Sequence, residues 1–581
     1  MNKHAIYHIL DTPYAYAKNK NTLSVMLRTA KDDIKTCLIH YKTRYDWENN
    51  FYIKKMELKD SNSLFDFFSA NISVERNRYR YFFELEDHEG NKIFLDERGI
   101  RSEEIPRKEA TAFQYPYIAK PDVYKEEKWL QEAVVYQIFV DRFRNGDESN
   151  DPKNALPWGE EVSQTSMFGG DIQGIIDKLD YLKDLGVDIL YLTPIFKSSS
   201  NHKYNTADYY EIDQQFGTVE KVKELVEKCH ERNMKIVFDA VFNHSGADFF
   251  AFEDILKNQE KSKYKDWYFI DNFPVEFQKS NYYTFADHVP TMPKFNTANE
   301  EVKKYLLDVA KYWIDEVKID GWRLDVCDEV DHSFWREFKK VVKKHKKEAI
   351  IIGEIMHEAS SFLKGDQLDG IMNYPFKGAM VDFFGNRIID AKMFSEILST
   401  NRNVYMDSIT KQMWNLIGSH DTKRFLTECD GKIERIMLAI AFQFTYLGVP
   451  YIYYGDEIGL FGGEEPESRR CMIWEEEKQN RELYCLYKKL IYIRKNNLEL
   501  IHGRYKTLFC EGNVLIFERN YNNESIIVFI NNEEIETEVE LSINKYVRNL
   551  ITLKEEYIGK SVCLKSMEFR IYKVITGENV H

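Results

Sequence analysis

From about residue 130 onward the chain repeats one alternation, an apolar run of strand length followed by an amphipathic stretch of helical period. The runs are VVYQIFVDRF, DILYLTPIF, KIVFDAVFNH, IDGWRLDV, AIIIGEI, GIMNYP, WNLIGSHD and PYIYYGDE, with segments such as TVEKVKELVEKCHERN and NEEVKKYLLDVAKYWIDEV between them. Strands that are continuously apolar belong in a parallel sheet whose faces are covered, because a half-exposed strand would alternate instead. Repeated β-α units of this number close the sheet on itself. The predicted class is therefore α/β, a (β/α)8 TIM barrel.

The flanks follow a different pattern. Residues 1–120 carry short aromatic-rich runs, FYIKKMEL, RYRYFFELED and KIFLDERG, separated by polar turns, which predicts an N-terminal β-sandwich. The stretch AFQYPYIAKPDVYKEEKWL, with Pro116 and Pro121, reads as a linker and sets the boundary of a barrel domain over 121–502. From residue 503 the runs NVLIFERNY, ESIIVFINN, TEVELSI and EFRIYKVI predict a C-terminal β-sandwich over 503–581. The connection after the third barrel strand, about 245–296, is too long for a β-α loop and reads as an inserted subdomain overhanging the barrel mouth. The greasy stretch IMLAIAFQFTYLGVPYIYYG, Ile436–Gly455, is divided by Gln443, Thr445 and Gly448-Val449-Pro450, so a helix, a turn and a buried strand explain it better than a membrane span.

A net charge of −15 and a pI of about 5.6 argue against nucleic-acid and anionic-membrane partners, which reward basic patches. A neutral ligand fits better. The eight cysteines are scattered without a C-x-x-C pair and read as reduced thiols. MNKHAIYHILDTPYAYAK has no continuous apolar core of a secretion signal, so cytoplasmic residence is expected.

The chemistry concentrates at the strand ends. The third strand finishes in Asp239, Asn243 and His244, the fourth in Arg323 and Asp325, the fifth in Glu354, the seventh in His420 and Asp421. In such barrels the side chains at the C-terminal ends of the strands share one mouth. Any one of these acids alone reads as a cap or a satisfied ion pair. Gathered together they repel one another and resist burial, a cost that points to use. Retaining glycoside hydrolysis needs an ionised carboxylate and a protonated one about 5 to 5.5 Å apart. Arg323 and Asp325, two residues apart on a strand, share a face, so the arginine can hold Asp325 ionised. Glu354, behind the apolar AIIIG, has surroundings that keep an acid protonated.

DAVFNH, GWRLDV, GEI and SHD resemble, in order, the four short motifs of the α-amylase superfamily of retaining α-glycoside hydrolases. The resemblance implies Asp325 as nucleophile, Glu354 as acid/base, Asp421 as transition-state stabiliser, and His244, Arg323 and His420 as sugar-binding partners. The N-terminal domain, EVDH after the nucleophile motif, MPKFN, HKYNTADY and YYGDEIG are similar to the neopullulanase, cyclomaltodextrinase and maltogenic amylase group. That implies an endo-acting enzyme on α-1,4 bonds of cyclomaltodextrins, pullulan and short maltooligosaccharides. It also implies that Tyr204 stacks on a sugar and that Glu465 and Arg469 of EEPESRR touch it, although the group commonly has an aspartate at the Glu465 position. Cys327-Asp328 replaces a usual Ala-Asn, Met356 a tryptophan, Phe295 a leucine and Cys471 a proline. Met356 leaves α-1,6 cleavage and transglycosylation open. The N-terminal domain reads either as a starch-binding module or, preferably, as a wall over a neighbouring subunit's cleft, which implies a homodimer.

A second site lies in RNGDESNDPKN. Asn145, Asp147, Asn150 and Asp151, with Gly169 and Asp171 of FGGDIQG, offer the hard oxygens that Ca²⁺ favours, although an acidic Asn-Gly turn reads equally as a solvated loop. Resemblance to the group's calcium loop implies a structural Ca²⁺. Two rival readings stand beside the hydrolase: a non-catalytic amylase-like scaffold that binds sugar or a partner, and a divalent-metal hydrolase built on the acid cluster.

Overall fold

In the computed structural model, residues 1–46, 48, 50–102 and 111–575 are described; residues 103–110 and 576–581, which fall inside the expected terminal domains, lie outside them. The chain forms two compact units. The first comprises Met1–Glu126 with Leu363–Gly365 and Lys392–Thr410, and the second comprises the remainder.

The first unit is a sandwich of two antiparallel sheets. One has the order Ala15–Asn19, Thr22–Ala30, Phe65–Ile72, Glu57–Ser61; the other runs Tyr52–Lys55, Ile34–Thr43, Tyr79–Asp87, Lys92–Asp96, Gly99–Arg101. Alternate residues such as Leu23, Val25, Leu27 and Tyr79, Tyr81, Phe83, Leu85 point inward and make the core. The expected linker contains an element of its own. Phe113–Tyr115 is a strand paired with Tyr79–Tyr81, because Phe113 finds a buried aromatic slot beside Tyr81 and Phe83. The unit also takes in the helix Ala391–Val404, whose Arg402 clamps Asp60 through Nη2 at 2.9 and 3.0 Å.

The second unit is built on a closed parallel barrel. Its strands are β1 (Val135–Ile138), β2 (Ile189–Leu192), β3 (Lys235–Ala240), β4 (Gly321–Leu324), β5 (Ile350–Ile355), β6 (Gly370–Asn373), β7 (Trp414–Asn415) and β8 (Val449–Tyr453). Each of the eight apolar runs supplies one strand, in sequence order around the barrel. Helices such as Val219–Glu231, N-capped by Thr218, and Glu300–Tyr312, N-capped by Asn299, cover the outside with their apolar stripes.

The greasy stretch divides as expected into a helix, Ile433–Thr445, and strand β8. Gly448 makes the turn at φ 97°, where a Cβ would lie 2.6 Å from Asn415 Nδ2. The buried Gln443 amide donates to the carbonyls of Asn415 and Tyr451, which pins helix to barrel. Among the described residues no helix is long and apolar enough to cross a membrane.

The insertion after β3 folds as a small subdomain with the helix Phe250–Asn258 and the hairpin Thr284–Phe285/Val289–Pro293. Its two ends are tied together where Ser245 N donates to Pro293 O and Phe295 N to Asn243 O. Beyond the barrel, a six-stranded sheet and a two-stranded one contain all four expected C-terminal strands around Ile516, Ile527, Phe529, Val547 and Tyr572.

Candidate active site

Arg323 sits on β4 with no exposed surface, and its guanidinium collects the acids of three neighbouring strands. Nη1 donates to Asp239 Oδ1 and Oδ2 at 3.0 and 2.9 Å and to Asp325 Oδ1 at 2.9 Å. Nη2 is in close contact with Glu354 Oε1. The ladder explains the meeting, since Asp239 is the register partner of Arg323 and Glu354 lies on the adjacent β5. The i, i+2 relation of Arg323 and Asp325 places both on one face, as the sequence implies. Glu354 is not held in a purely apolar niche, however. It shares the guanidinium with Asp325, so the arginine by itself does not select which acid is ionised.

A strained residue joins the two carboxyl groups. Val326, immediately after Asp325, has φ 43°, a left-handed conformation that a β-branched residue adopts only under constraint. This turn aims its N–H at Glu354 Oε2, 3.2 Å away, while Tyr374 Oη donates to Glu354 Oε1 at 3.3 Å.

Burial pushes Asp325 well above the ordinary carboxylate range; Arg323 opposes this, and Glu354 and Asp239 reinforce it. Burial likewise raises Glu354 and Asp239, again against Arg323. The cluster therefore retains a proton where isolated acids would have lost it. Asp421 behaves oppositely: burial works upward, but His420, Arg469 and Arg323 outweigh it and hold the group below its ordinary value. Arg469 Nη2 donates to Asp421 Oδ1 at 3.0 Å, and Nη1 to Glu465 at 2.7 Å. His420 lies in the loop after β7, since that strand stops at Asn415. Burial drives His420 to about 3, so at neutral pH it is uncharged and the positive charge facing Asp421 is that of Arg469 and Arg323. Its Nδ1 is 2.8 Å from Gln137 Nε2, and its Nε2 is 2.7 Å from Tyr204 Oη, which in turn donates to Asp239 at 3.0 Å.

A cavity of about 510 Å³ opens over this cluster. Of the expected site residues, Tyr204, His244, Asp325, Glu354, Asp421, Glu465 and Arg469 line it, whereas Arg323 and His420 form the wall behind. Phe285, Met292, Val326, Asp328 and Glu329 also line it and were not expected; His202 and Met356 complete the lining. His202 carried a usable signal in HKYNTADY, two residues before Tyr204. Phe285 and Met292 belong to the subdomain hairpin, and nothing local ties them to the barrel mouth. His244 Nε2 is buried, has no hydrogen-bond partner among the described residues and is available to a ligand hydroxyl.

The second candidate loop is a separate structure. Asp171 accepts from the N–H groups of Gly146, Asp147 and Gly174 and from Asn150 Nδ2, so its oxygens are taken up as a loop staple and as the cap of the helix Ile172–Asp177. Asp147 likewise caps Ser149. Asn145 Nδ2 donates to Asp151 at 2.8 and 3.0 Å, and at Gly169, with φ 77°, a Cβ would collide with both side chains. Asn145 Oδ1 and Asn150 Oδ1 are buried acceptors without a partner among the described residues. Burial, then repulsion from Glu148, Asp141 and Asp147, raises Asp151 despite its bond from Asn145. Unpaired carbonyl oxygens beside an electrostatically strained carboxylate suit a hard cation.

The barrel, the acids on one guanidinium and the open cavity define a glycoside hydrolase site, and the chain belongs to the alpha-amylase family. The family's catalytic domain matches residues 137–480, its N-terminal Ig-like domain 1–119 and its C-terminal domain 503–558. The cyclomaltodextrinase of Thermoanaerobacter pseudethanolicus is 51% identical over 96% of this chain and 97% of its own. Neopullulanase 2 of Thermoactinomyces vulgaris is 45% identical over 91% of each. A solved cyclomaltodextrinase structure superimposes with a TM-score of 0.95 and 41% identity, over 99% of this chain and 100% of that one.

Glu354→Gln keeps the shape of the group and one acceptor oxygen, enough for the Val326 N–H, while an amide NH2 replaces the oxygen that accepts from Tyr374 and one crowded charge is removed. Because the native Glu354 pKa is raised, its stabilising contribution is present below the ordinary Glu value and lost as pH rises through the native value. Thermal midpoints of wild type and variant, measured from pH 4 to 8, should therefore diverge in favour of the variant as pH increases.

Proposed function

We propose that the protein is a retaining α-glucan hydrolase of the cyclomaltodextrinase type, which cuts α-1,4 linkages in cyclomaltodextrins, pullulan and short maltooligosaccharides through a covalent glycosyl-enzyme. The observation that carries the reading is the attachment of Asp325 and Glu354 to one guanidinium at one cavity wall. An Asp325 oxygen attacks the anomeric carbon as the glycosidic bond breaks and Glu354 gives its proton to the departing oxygen. Glu354, now ionised, takes a proton from water, whose oxygen attacks the same carbon and releases Asp325. Asp421, kept ionised, faces the positive charge that develops on the sugar ring. His244, Glu465 and Arg469 supply hydrogen bonds, and Tyr204 an aromatic surface, to the glucose in the cavity. The names of the cyclomaltodextrinase and neopullulanase relatives support this substrate class. Met356, a flexible thioether on the cavity wall, is the residue to which we assign the balance among hydrolysis, transfer and α-1,6 cleavage.

Asn145, Asn150 and Asp151, with the Gly169 carbonyl, would hold a structural Ca²⁺, while Asp147 and Asp171 brace the loop. Bound there, the cation neutralises Asp151 and stiffens the loop. Eight cysteines, five of them buried, support residence in a reducing cytoplasm. The N-terminal domain is read as the contact of a homodimer.

Asp325→Asn should reduce cyclomaltodextrin turnover by at least about 10³-fold with an unchanged melting curve; near-normal turnover would end the nucleophile assignment. Proton NMR of the wild-type reaction should give the α-anomer first, and side-by-side rates should rank cyclomaltodextrin and pullulan above starch. Chelation should lower the thermal midpoint, Ca²⁺ should restore it, and the rate well below the melting range should not change. In solution the wild type should have twice the chain mass, and removal of residues 1–126 should halve that stoichiometry.

A further inference from the structure

The subdomain after β3 carries an aromatic pair that its own folding does not use. Two short segments, Tyr268–Ile270 and Asn281–Tyr283, run antiparallel, with Tyr283 N donating to Phe269 O at 2.8 Å and a bridge between Ile270 and Tyr282. Alternation sends one set of rings inward. Tyr268 and Tyr282 are each 3% exposed and pack on Phe252, and Tyr268 also stacks on Phe295. Phe269 and Tyr283 face the other way, 38% and 52% exposed, with ring centroids 5.4 Å apart and planes 29° from parallel. Anchored by the buried rings beneath, they form a rigid aromatic surface in water, and Tyr283 makes no hydrogen bond through its hydroxyl within the described residues.

This surface continues the cavity. Tyr283 stands two residues before Phe285 on an extended segment whose burial alternates, so the two side chains share a face, and Phe285 lines the cavity. Tyr283 O accepts from Lys294 N at 2.9 Å, and Lys294 Nζ pairs at 3.0 Å with Glu329, another lining residue. The aromatic pair is thus one strand step beyond the cavity rim.

We propose that Phe269 and Tyr283 are a glucan-chain platform, a binding surface for glucose rings that extend past the Lys294–Glu329 rim when the substrate is longer than the cavity. The proposal rests on the α-glucan reading above. The apolar face of a pyranose stacks on an aromatic ring, and the free Tyr283 hydroxyl is available to a sugar hydroxyl. The site selects for chain length and takes no part in bond cleavage.

The test is a series from maltotriose to maltoheptaose, assayed with wild type, Tyr283→Phe, Tyr283→Ser and the double variant Phe269→Ala/Tyr283→Ser. Both residues are exposed, so melting curves should coincide. For the double variant kcat/KM should stay within about twofold of wild type on maltotriose and fall about three- to tenfold on maltoheptaose, through KM. Tyr283→Phe should retain most of the effect, and Tyr283→Ser should fall between. An equal factor at every length, or no change, would overturn the platform. So would a fall in solution mass with unchanged length dependence, which would make the surface a subunit contact. Wild type inactive on every member of the series would instead overturn the hydrolase reading, and with it the platform.

Discussion

Three carboxylates on three adjacent strands reach a single buried guanidinium, and the upper half of the barrel is organised by that shortage of positive charge. Asp239, Asp325 and Glu354 cannot all ionise against Arg323 without leaving net negative charge in a dry wall. Burial and mutual repulsion favour keeping the cluster protonated against the pull of Arg323, so a general acid is available there. Removing the arginine would strand the acids, a loss of about 3–5 kcal/mol for a broken buried pair. The same guanidinium that assembles the reactants thus also sets how many protons they share.

Around this cluster the backbone stores constraint where the acids need to be aimed. Val326 is left-handed, and its amide is what touches Glu354. Tyr204 runs from Asp239 to His420, and Arg469 from Asp421 to Glu465. Asp421 accepts from a second arginine, Arg469, and His420, Arg469 and Arg323 together hold it below its ordinary value while its neighbours are raised.

Much of this was legible in advance, for identifiable reasons. Every barrel strand was visible because a strand covered on both sides is apolar throughout and contrasts with the helices beside it. Asp325 beside Arg323 was visible because a two-residue spacing has only one meaning on a strand. Phe113–Tyr115 reads as linker in the sequence, since prolines nearby mask a three-residue strand whose partner lies more than thirty residues back. Asp171 counts as a candidate metal ligand by composition, which does not show that its oxygens also accept from three backbone N–H groups. The isoleucines before Glu354 imply an apolar setting; they are buried in the barrel, while the Glu354 side chain meets Arg323.

Local periodicity and spacing, acting over a few residues, were sufficient to determine the barrel strands, their order and the acids gathered at its mouth. Only the tertiary structure decided what those residues share: the guanidinium common to three acids, the hairpin that brings Phe285 and Met292 to the cavity, and the outward pair Phe269 and Tyr283. These depend on the closure of the sheet and on the return of a long insertion, contacts between distant segments whose positions no local pattern encodes. Charge and solvation act through space, so pKa and exposure are properties of the fold even when the residues that carry them are plain in the chain.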